Sequence, residues 1–352
     1  MSKHTDPAIE ALLERLDASD AATAKNLWVA DEHPLPPSFF QTLANKGALF
    51  LSNRFDHYQL ASKQGVGSMF SDIDLSDFET KAIERIFFRV AKERALVHRL
   101  INQAKHVLPC GASLWLCGYK KEGIKTHIQR AEECFGTKAK VTRLKNQLLV
   151  AELVLDDSDN PELSDENYAL LREITCEKFK FWSKPGLYGW NKIDKASEYL
   201  MDWLDKNTGR LSGQRVLDLG CGYGYLSIRA HELGADEIVA TDNSAAALAA
   251  CKKNLEAFEI PVTVAPSGAG ADLSGKFNSI LCNPPFHQGF STTSNLHEQF
   301  IKQTKQLLFD NGTAWYVVNQ FLEIDNIAKV VELEAEETHR TKSFKIVRLT
   351  HR

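Results

Sequence analysis

Val216-Leu217-Asp218-Leu219-Gly220-Cys221-Gly222-Tyr223-Gly224-Tyr225-Leu226 is an apolar run that meets three alternating glycines and continues into a helical pattern. A strand, a glycine turn and a helix in immediate succession form the unit from which parallel α/β sheets are built, and such sheets hold ligands at the carboxyl ends of their strands. Glycine lets the backbone turn tightly and lets a ligand approach where a Cβ would stand. The spacing is D-x-G-x-G-x-G. A dinucleotide fingerprint requires a glycine at the position Tyr225 occupies. The next apolar segment, Glu237-Ile238-Val239-Ala240-Thr241-Asp242, ends on a carboxylate able to accept hydrogen bonds from both hydroxyls of a ribose, with Asn243 beside it. A nucleoside ligand, a nicotinamide cofactor and a purely structural glycine turn are the readings these residues leave open.

A second stretch narrows them. Phe277-Asn278-Ser279-Ile280-Leu281-Cys282 reads as a buried strand and delivers Asn283-Pro284-Pro285-Phe286. Two prolines cannot donate to a sheet ladder, so the segment is a stiff loop at the strand's end. Strand termination explains the prolines but neither the preceding Asn nor the following aromatic ring. The two stretches lie about sixty residues apart in a βα succession. Together they resemble the cofactor site and the N-P-P-[FYW] motif of Rossmann-like methyltransferases that modify planar nitrogens. The resemblance implies S-adenosylmethionine as cofactor. On these residues it implies that Gly220, Gly222 and Gly224 admit the methionine end, that Asp218 orients its amino group through the loop, that Asp242 and Asn243 lie at the ribose, and that Asn283 lies beside the cofactor. It also implies that Asn283 and the Pro284 carbonyl accept the hydrogens of the target amine, while Phe286 stacks on the base.

The 352 residues suffice for two domains, and 43% hydrophobic content is that of an ordinary globular chain. No run approaches the ~18 apolar residues of a membrane span, and Met1 to Asp6 carry no apolar secretory core, so a cytoplasmic protein without membrane contact is expected. Seven scattered cysteines without a C-x-x-C suggest neither a disulfide framework nor a metal site. The net charge of −4 is unevenly spread: between Lys81 and Lys145 fifteen Lys/Arg face five Glu, a local excess of +10. Such an asymmetry is the footprint a phosphate backbone would find, with solvated helix faces as the plain alternative.

The N-terminal part alternates short apolar runs (27–30, 48–51, 86–88, 114–117) with helical stretches such as 7–18 and 92–108, which predicts a second parallel sheet. Leu108 to Trp115 can be laid on Leu308 to Trp315, and Lys145 to Glu152 on Lys342 to Leu349, at nearly the same offset, which indicates duplication. The first copy lacks a glycine loop, having Ala30-Asp31-Glu32-His33-Pro34 instead, and lacks an Asn-Pro-Pro. It is expected to bind no cofactor and to hold RNA through Lys92, Arg94 and Arg99. The acidic, proline-bearing segment 156–166 is expected to be an exposed linker. This gives a degenerate domain over 1–155, a linker, and a catalytic domain over 167–352. In the latter, a helix starting near Asp194, one capped by Ser244, a helix over 295–308, a turn at Asp310-Asn311-Gly312, a strand over 314–318 and a closing hairpin are predicted.

This organisation, with Asn283-Pro284-Pro285-Phe286-His287 and Gly289, is similar to the bacterial ribosomal RNA guanine-N2 methyltransferases, most of all those of the small (16S) subunit. The resemblance implies an α/β protein of two tandem Rossmann-like methyltransferase domains, the second with a seven-stranded mixed sheet. It implies methyl transfer to a guanine N2 and, as partners, ribosomal RNA, the small subunit or an assembly intermediate. A monomer is expected. Large-subunit RNA, DNA adenine and a protein glutamine amide are the alternative substrates. A cofactor-binding assembly factor without turnover and a nicotinamide oxidoreductase are the alternatives of another class. The third strand ends Ala265-Pro266-Ser267-Gly268, without the usual acid or amide for the adenine, and Asp272 is the substitute available.

Overall fold

In a computed structural model, residues 6–18, 25–78, 82–176, 179–285 and 290–352 are described. The chain forms two compact units, Met1–Leu170 and Leu171–Arg352. The first contains β1 (Asn26–Ala30), β2 (Leu49–Ser52), β3 (Ser68–Phe70), β4 (Arg85–Arg89), β5 (Ser113–Tyr119), β6 (Lys140–Arg143) and β7 (Leu148–Val154). Its helices are α1 (Pro7–Asp17), α2 (Pro37–Asn45), α3 (Phe55–Lys63), α4 (Arg94–Val107) and α5 (Ile124–Phe135). Strand order is β3-β2-β1-β4-β5-β7-β6, with the first five strands parallel, β7 antiparallel to β5, and β6 antiparallel to β7.

The second unit opens with a hairpin, β8 (Arg172–Cys176) and β9 (Phe179–Ser183), then α6 (Lys195–Asn207), β10 (Arg215–Leu219), α7 (Tyr225–Glu232), β11 (Glu237–Asp242), α8 (Ala245–Ala257), β12 (Val262–Pro266), β13 (Phe277–Cys282), α9 (Phe290–Leu307), β14 (Leu308–Asn319), α10 (Ile324–Val330), β15 (Leu333–Arg340) and β16 (Phe344–His351). Its sheet runs β12-β11-β10-β13-β14-β16-β15, the same order as in the first unit. The fold class is therefore the one expected: two seven-stranded mixed sheets, each with its own helices. Among the described residues no helix is long and apolar enough to cross a membrane.

The helices start where their caps dictate. The Asp194 carboxylate accepts from the Ala196 and Ser197 amides at the head of α6, and Ser244 Oγ accepts from the Ala247 amide at the head of α8. In the first unit the Asp6 carboxylate accepts from the Ala8 amide, ahead of a proline at the first helical position. Cores form from the inward sides of the strands. Trp28, Phe87 and Trp115 are register partners on β1, β4 and β5. Their rings stack at 5.9 and 6.1 Å.

Three expectations are corrected. The segment 156–166 is exposed for the most part, as expected, but it belongs to the first unit rather than standing apart as a linker: it lies along α4, where Asn102 donates to the Leu163 carbonyl and accepts from its amide, His98 Nδ1 meets the Ser164 carbonyl, and Arg94 pairs with Glu166. Tyr168 is buried in the first unit's core, and its hydroxyl donates to Asp72, so the division falls after Leu170. The acidic composition that suggested solvent also complements the basic helix. The predicted turn at 310–312 is absorbed into β14, whose register against β13 shifts between Phe277 and Ser279, a bulge rather than a reversal. Finally, the aromatic stretch Phe179 to Asn191, which reads as a turn-prone lead-in to α6, begins as a strand: Phe179–Ser183 pairs with Arg172–Cys176 as the β8–β9 hairpin.

Candidate active site

In the second sheet the chain goes from β10 out to β11 and β12, then returns to the other side of β10 as β13. The carboxyl ends of the neighbouring strands β10 and β13, with Asp218 beside Leu281, are thus the point where strand order reverses, and there such sheets bind ligands. The glycine loop leaves one strand and Asn283 leaves the other.

The loop is held by its neighbours. The Gly220 and Cys221 amides both donate to the Thr241 carbonyl at 2.9 Å. Gly220, Gly222 and Gly224 have φ of 84°, 54° and 91°. At Gly224 a Cβ would also lie 2.9 Å from Cys251 Sγ, so this residue lets α7 start against α8. Asp242 ties loop to helix: Oδ2 accepts from the Gly222 amide at 3.0 Å and Oδ1 from the Ser244 amide at 2.9 Å. Asn243 follows it at the start of the same turn.

Asp218 lies beneath the loop, fully buried. Its Oδ2 accepts from the Ser227 amide at 2.9 Å and the Ser227 hydroxyl at 2.7 Å. Its Oδ1 finds no donor among the described residues. Burial pushes its pKa up to about 7 against the Ser227 bonds that lower it, with the Asp242 charge adding to the rise. A buried acceptor without a donor, a loop of left-handed glycines and a half-buried carboxylate on the next strand fit a cationic, ribose-bearing ligand.

On β13's side, Asn283 Nδ2 donates to Ser197 Oγ at 2.9 Å and Asp194 Oδ1 at 3.3 Å. Pro284 is buried and Pro285 exposed. The expected stacking residue Phe286, with His287 and Gly289, lies outside the described residues. Asp272, the substitute proposed for the adenine contact, accepts from Ser267 Oγ and the Gly268 amide and so closes its own turn.

Two supporting residues escaped the sequence reading. Asn254, fully buried on α8, accepts from the Trp182 amide at 2.5 Å and donates to the Trp182 carbonyl at 2.9 Å and the Tyr223 carbonyl at 2.7 Å, joining β9 to the glycine loop. An amide between the inward Cys251 and Leu255 was the available signal. His297, on α9, reaches the Pro285 carbonyl with Nε2 at 3.3 Å. Burial lowers its pKa, so the neutral ring donates that bond.

The basic residues assigned to RNA are partly engaged at home. Lys92 lies 3.4 Å from Glu32, Arg94 pairs with Glu166, and the Arg99 Nε is buried. Lys121, Lys125, Lys140, Arg143 and Lys145, around α5 and β6, are exposed.

The first unit shows what replaced the site. Laying Trp115 on Trp315 and Phe87 on Leu281, which are register partners in both sheets, puts Trp28 on Asp218, Ser52 on Asp242 and Arg89 on Asn283. Arg89 is buried, donates from Nε to Asp6 at 2.9 Å and from Nη1 and Nη2 to Glu122 at 2.7 and 2.9 Å. Burial works against its charge, and the two carboxylates more than offset it.

Residues 178–348 match the methyltransferase small domain family. Fold and match together define a methyltransferase of the Rossmann-like α/β class. Along its length the chain is 28% identical to Ribosomal RNA small subunit methyltransferase C of Psychromonas ingrahamii, over 99% of this chain and 98% of that protein. It is also 28% identical to the protein of the same name from a Marinomonas species, over 72% of this chain and 73% of the relative. The structure of the T. thermophilus 16S rRNA N2 G1207 methyltransferase (RsmC), in complex with AdoMet and guanosine, superposes with a TM-score of 0.81 at 21% identity, covering 99% of this chain and 93% of that one. Along its whole length this chain is thus similar to ribosomal RNA small subunit methyltransferase C, and these likenesses support an RsmC-like ribosomal RNA methyltransferase.

Proposed function

We propose that the second unit transfers a methyl group from S-adenosylmethionine to the exocyclic N2 of a guanine in 16S ribosomal RNA. The observation that carries this reading is the meeting of the glycine loop and Asn283-Pro284-Pro285 at the carboxyl ends of two adjacent parallel strands, β10 and β13. When bound, the cofactor supplies an electrophilic methyl on a sulfonium. Asp218 Oδ1 offers the buried acceptor for its amino group, Gly220 to Gly224 give its methionine end room, and Asp242 takes the ribose hydroxyls.

Guanine N2 is a poor nucleophile because its lone pair is conjugated into the ring, so positioning does most of the catalytic work. Asn283 Oδ1 and the Pro284 carbonyl accept the two amine hydrogens, turning the lone pair towards the methyl, and Phe286 stacks on the base. Transfer would form the N–C bond as the sulfonium's S–C bond breaks, leaving S-adenosylhomocysteine, and the amine proton would pass to solvent without a side chain of tuned pKa. Stacking within a duplex hides N2 from this pocket, so the target base enters single-stranded or flipped out. The first unit holds the RNA, and the exposed lysines and arginine around α5 and β6 are its best-placed groups. The substrate is the small subunit or an assembly intermediate, and the enzyme acts as a monomer.

The test is methyl incorporation into 16S rRNA and subunits from cells lacking the enzyme, followed by nucleoside mass spectrometry. N2-methylguanosine in 16S RNA is expected. Label confined to 23S RNA, DNA or protein overturns the substrate. Asn283→Ala is expected to bind S-adenosylmethionine as before while its turnover falls by about a hundredfold or more, the scale of removing a group that orients a reaction.

A further inference from the structure

An asparagine side chain has two ends of opposite hydrogen-bonding sense, and the proposed chemistry works with only one of them facing the base. The amide at the end of β13 could turn either way about its last torsion without changing shape. Two groups at the head of α6 break that symmetry. Asp194 Oδ1 is a carboxylate oxygen and can only accept, so the end of Asn283 that faces it must be the NH2, at 3.3 Å. Ser197 Oγ takes the same NH2 at 2.9 Å. With Nδ2 committed to these two, Oδ1 is turned away from α6. The reverse orientation would set Oδ1 against the carboxylate. Asp194 itself is fixed, since the same oxygen caps α6 through the Ala196 and Ser197 amides at 2.8 and 3.3 Å, and Ser197 is buried in the helix's first turn.

The first unit repeats the connection in its retired site. There Asp6, the cap of α1, accepts from Arg89, the residue that overlays Asn283. In both units, then, the aspartate that starts the helix packed on the fifth strand binds the side chain at the end of the fourth strand. In the first unit a guanidinium, which only donates, occupies the place, as an acceptor-only partner requires.

We infer that Asp194 and Ser197 are positioning residues that hold Asn283 with its carbonyl oxygen presented to the guanine amine. The inference rests on the reading of Asn283 as the acceptor in methyl transfer. Asp194→Ser keeps a helix-capping side chain and removes the carboxylate that dictates the amide's orientation. Ser197→Ala leaves the Asp194 cap untouched and removes one of the two acceptors. The measurement is the single-turnover methylation rate of the full chain at saturating S-adenosylmethionine and RNA, with cofactor Kd, RNA KM and Tm recorded alongside.

Asp194→Ser is expected to lower the rate about tenfold and Ser197→Ala severalfold, the worth of an orienting hydrogen bond, with Kd and KM within about twofold of wild type. In an Asn283→Ala background neither substitution should lower the rate further, because the group they orient is gone. Unchanged single-variant rates, losses that persist in full in that background, or losses that appear in Kd and KM instead of the rate would each overturn the inference. If Asp194→Ser does not fold, Ser197→Ala and its double variant decide alone. Failure of the functional reading is separately visible: wild-type enzyme would then leave no N2-methylguanosine in ribosomal RNA, or Asn283→Ala would turn over normally.

Discussion

Asp218 carries a carboxylate into a site where one oxygen is bonded twice and the other, among the described residues, not at all. Its folded pKa, about 7, stands above its ordinary 3.8. The folded protein therefore holds a proton that the unfolded chain has released across this interval. The associated stability is fully present below the ordinary value and lost as pH rises through about 7. Asp218→Asn keeps the shape and removes the titration. Denaturant unfolding of the cofactor-free protein should show wild type losing ground to the variant, by on the order of 2 kcal/mol, as pH rises from about 5 to about 8. A constant gap would mean that Asp218 titrates normally. The variant should also bind S-adenosylmethionine at least tenfold more weakly by calorimetry, having lost the charge that meets the ammonium. That the glycines, Asp218, Asp242 and Asn283 stand at or near the ends of strands was legible from the glycine spacing and from the apolar runs that stop there, while their roles came from the resemblance. Asn254 and His297 were not, because a helical Asn or His reads as surface until its buried partners are known.

At the level of elements, α8 does more than cover the sheet. Through Asn254 it grips β9 and the glycine loop at once. Asn254→Leu fills the space but leaves the Trp182 and Tyr223 backbone groups without their partners, and should cost about 2–4 kcal/mol in chemical unfolding and weaken cofactor binding with it. A near-neutral result would show that water replaces the amide. Helix starts at Asp194 and Ser244 were readable because capping is a local event. The β14 bulge was not, since Asp310-Asn311-Gly312 has the composition of a turn, and only pairing with β13 keeps it extended. The β8–β9 hairpin was hidden by its aromatic content, which suits a strand and a lead-in loop equally well.

Across the whole molecule, duplication made the fold legible: two blocks at nearly the same offset proved to be β5 with β14 and β7 with β16, with Trp115 and Trp315 at matching positions in identically ordered sheets. Strand pairing nevertheless sets Glu152 against Trp115 and Arg348 against Trp315, one residue from the sequence alignment of the second block. The extent of the first unit was less legible, because 156–170 packs by complementing charge and by one buried tyrosine, neither of which shows as periodicity. The same complementation redirects the RNA expectation. Lys92 and Arg94 are exposed but have carboxylate partners, whereas Lys121, Lys125, Lys140 and Arg143, exposed around α5 and β6, have no ion-pair partner among the described residues. Replacing these last four with Ala should weaken RNA binding and flatten its log–log salt dependence by about 0.7–0.9 for each phosphate left without its cation. Lys92→Ala with Arg94→Ala should change the slope less. Equal slopes for wild type and the fourfold variant would remove RNA gripping from the first unit.

Arg89 gives the history of the chain a direction. Buried between Asp6 and Glu122, it turned an acceptor-lined recess into a closed ionic knot that stabilises its own unit. Undoing it is not a matter of one codon: changing Arg89 alone leaves two partly buried acidic side chains without their partner, at a cost of about 2–3 kcal/mol in lost charged hydrogen bonds. Every path by which the first copy could regain a pocket like its sister's thus begins with a protein less able to fold. The division of labour between the copies is locked by thermodynamics, not only by the loss of a motif.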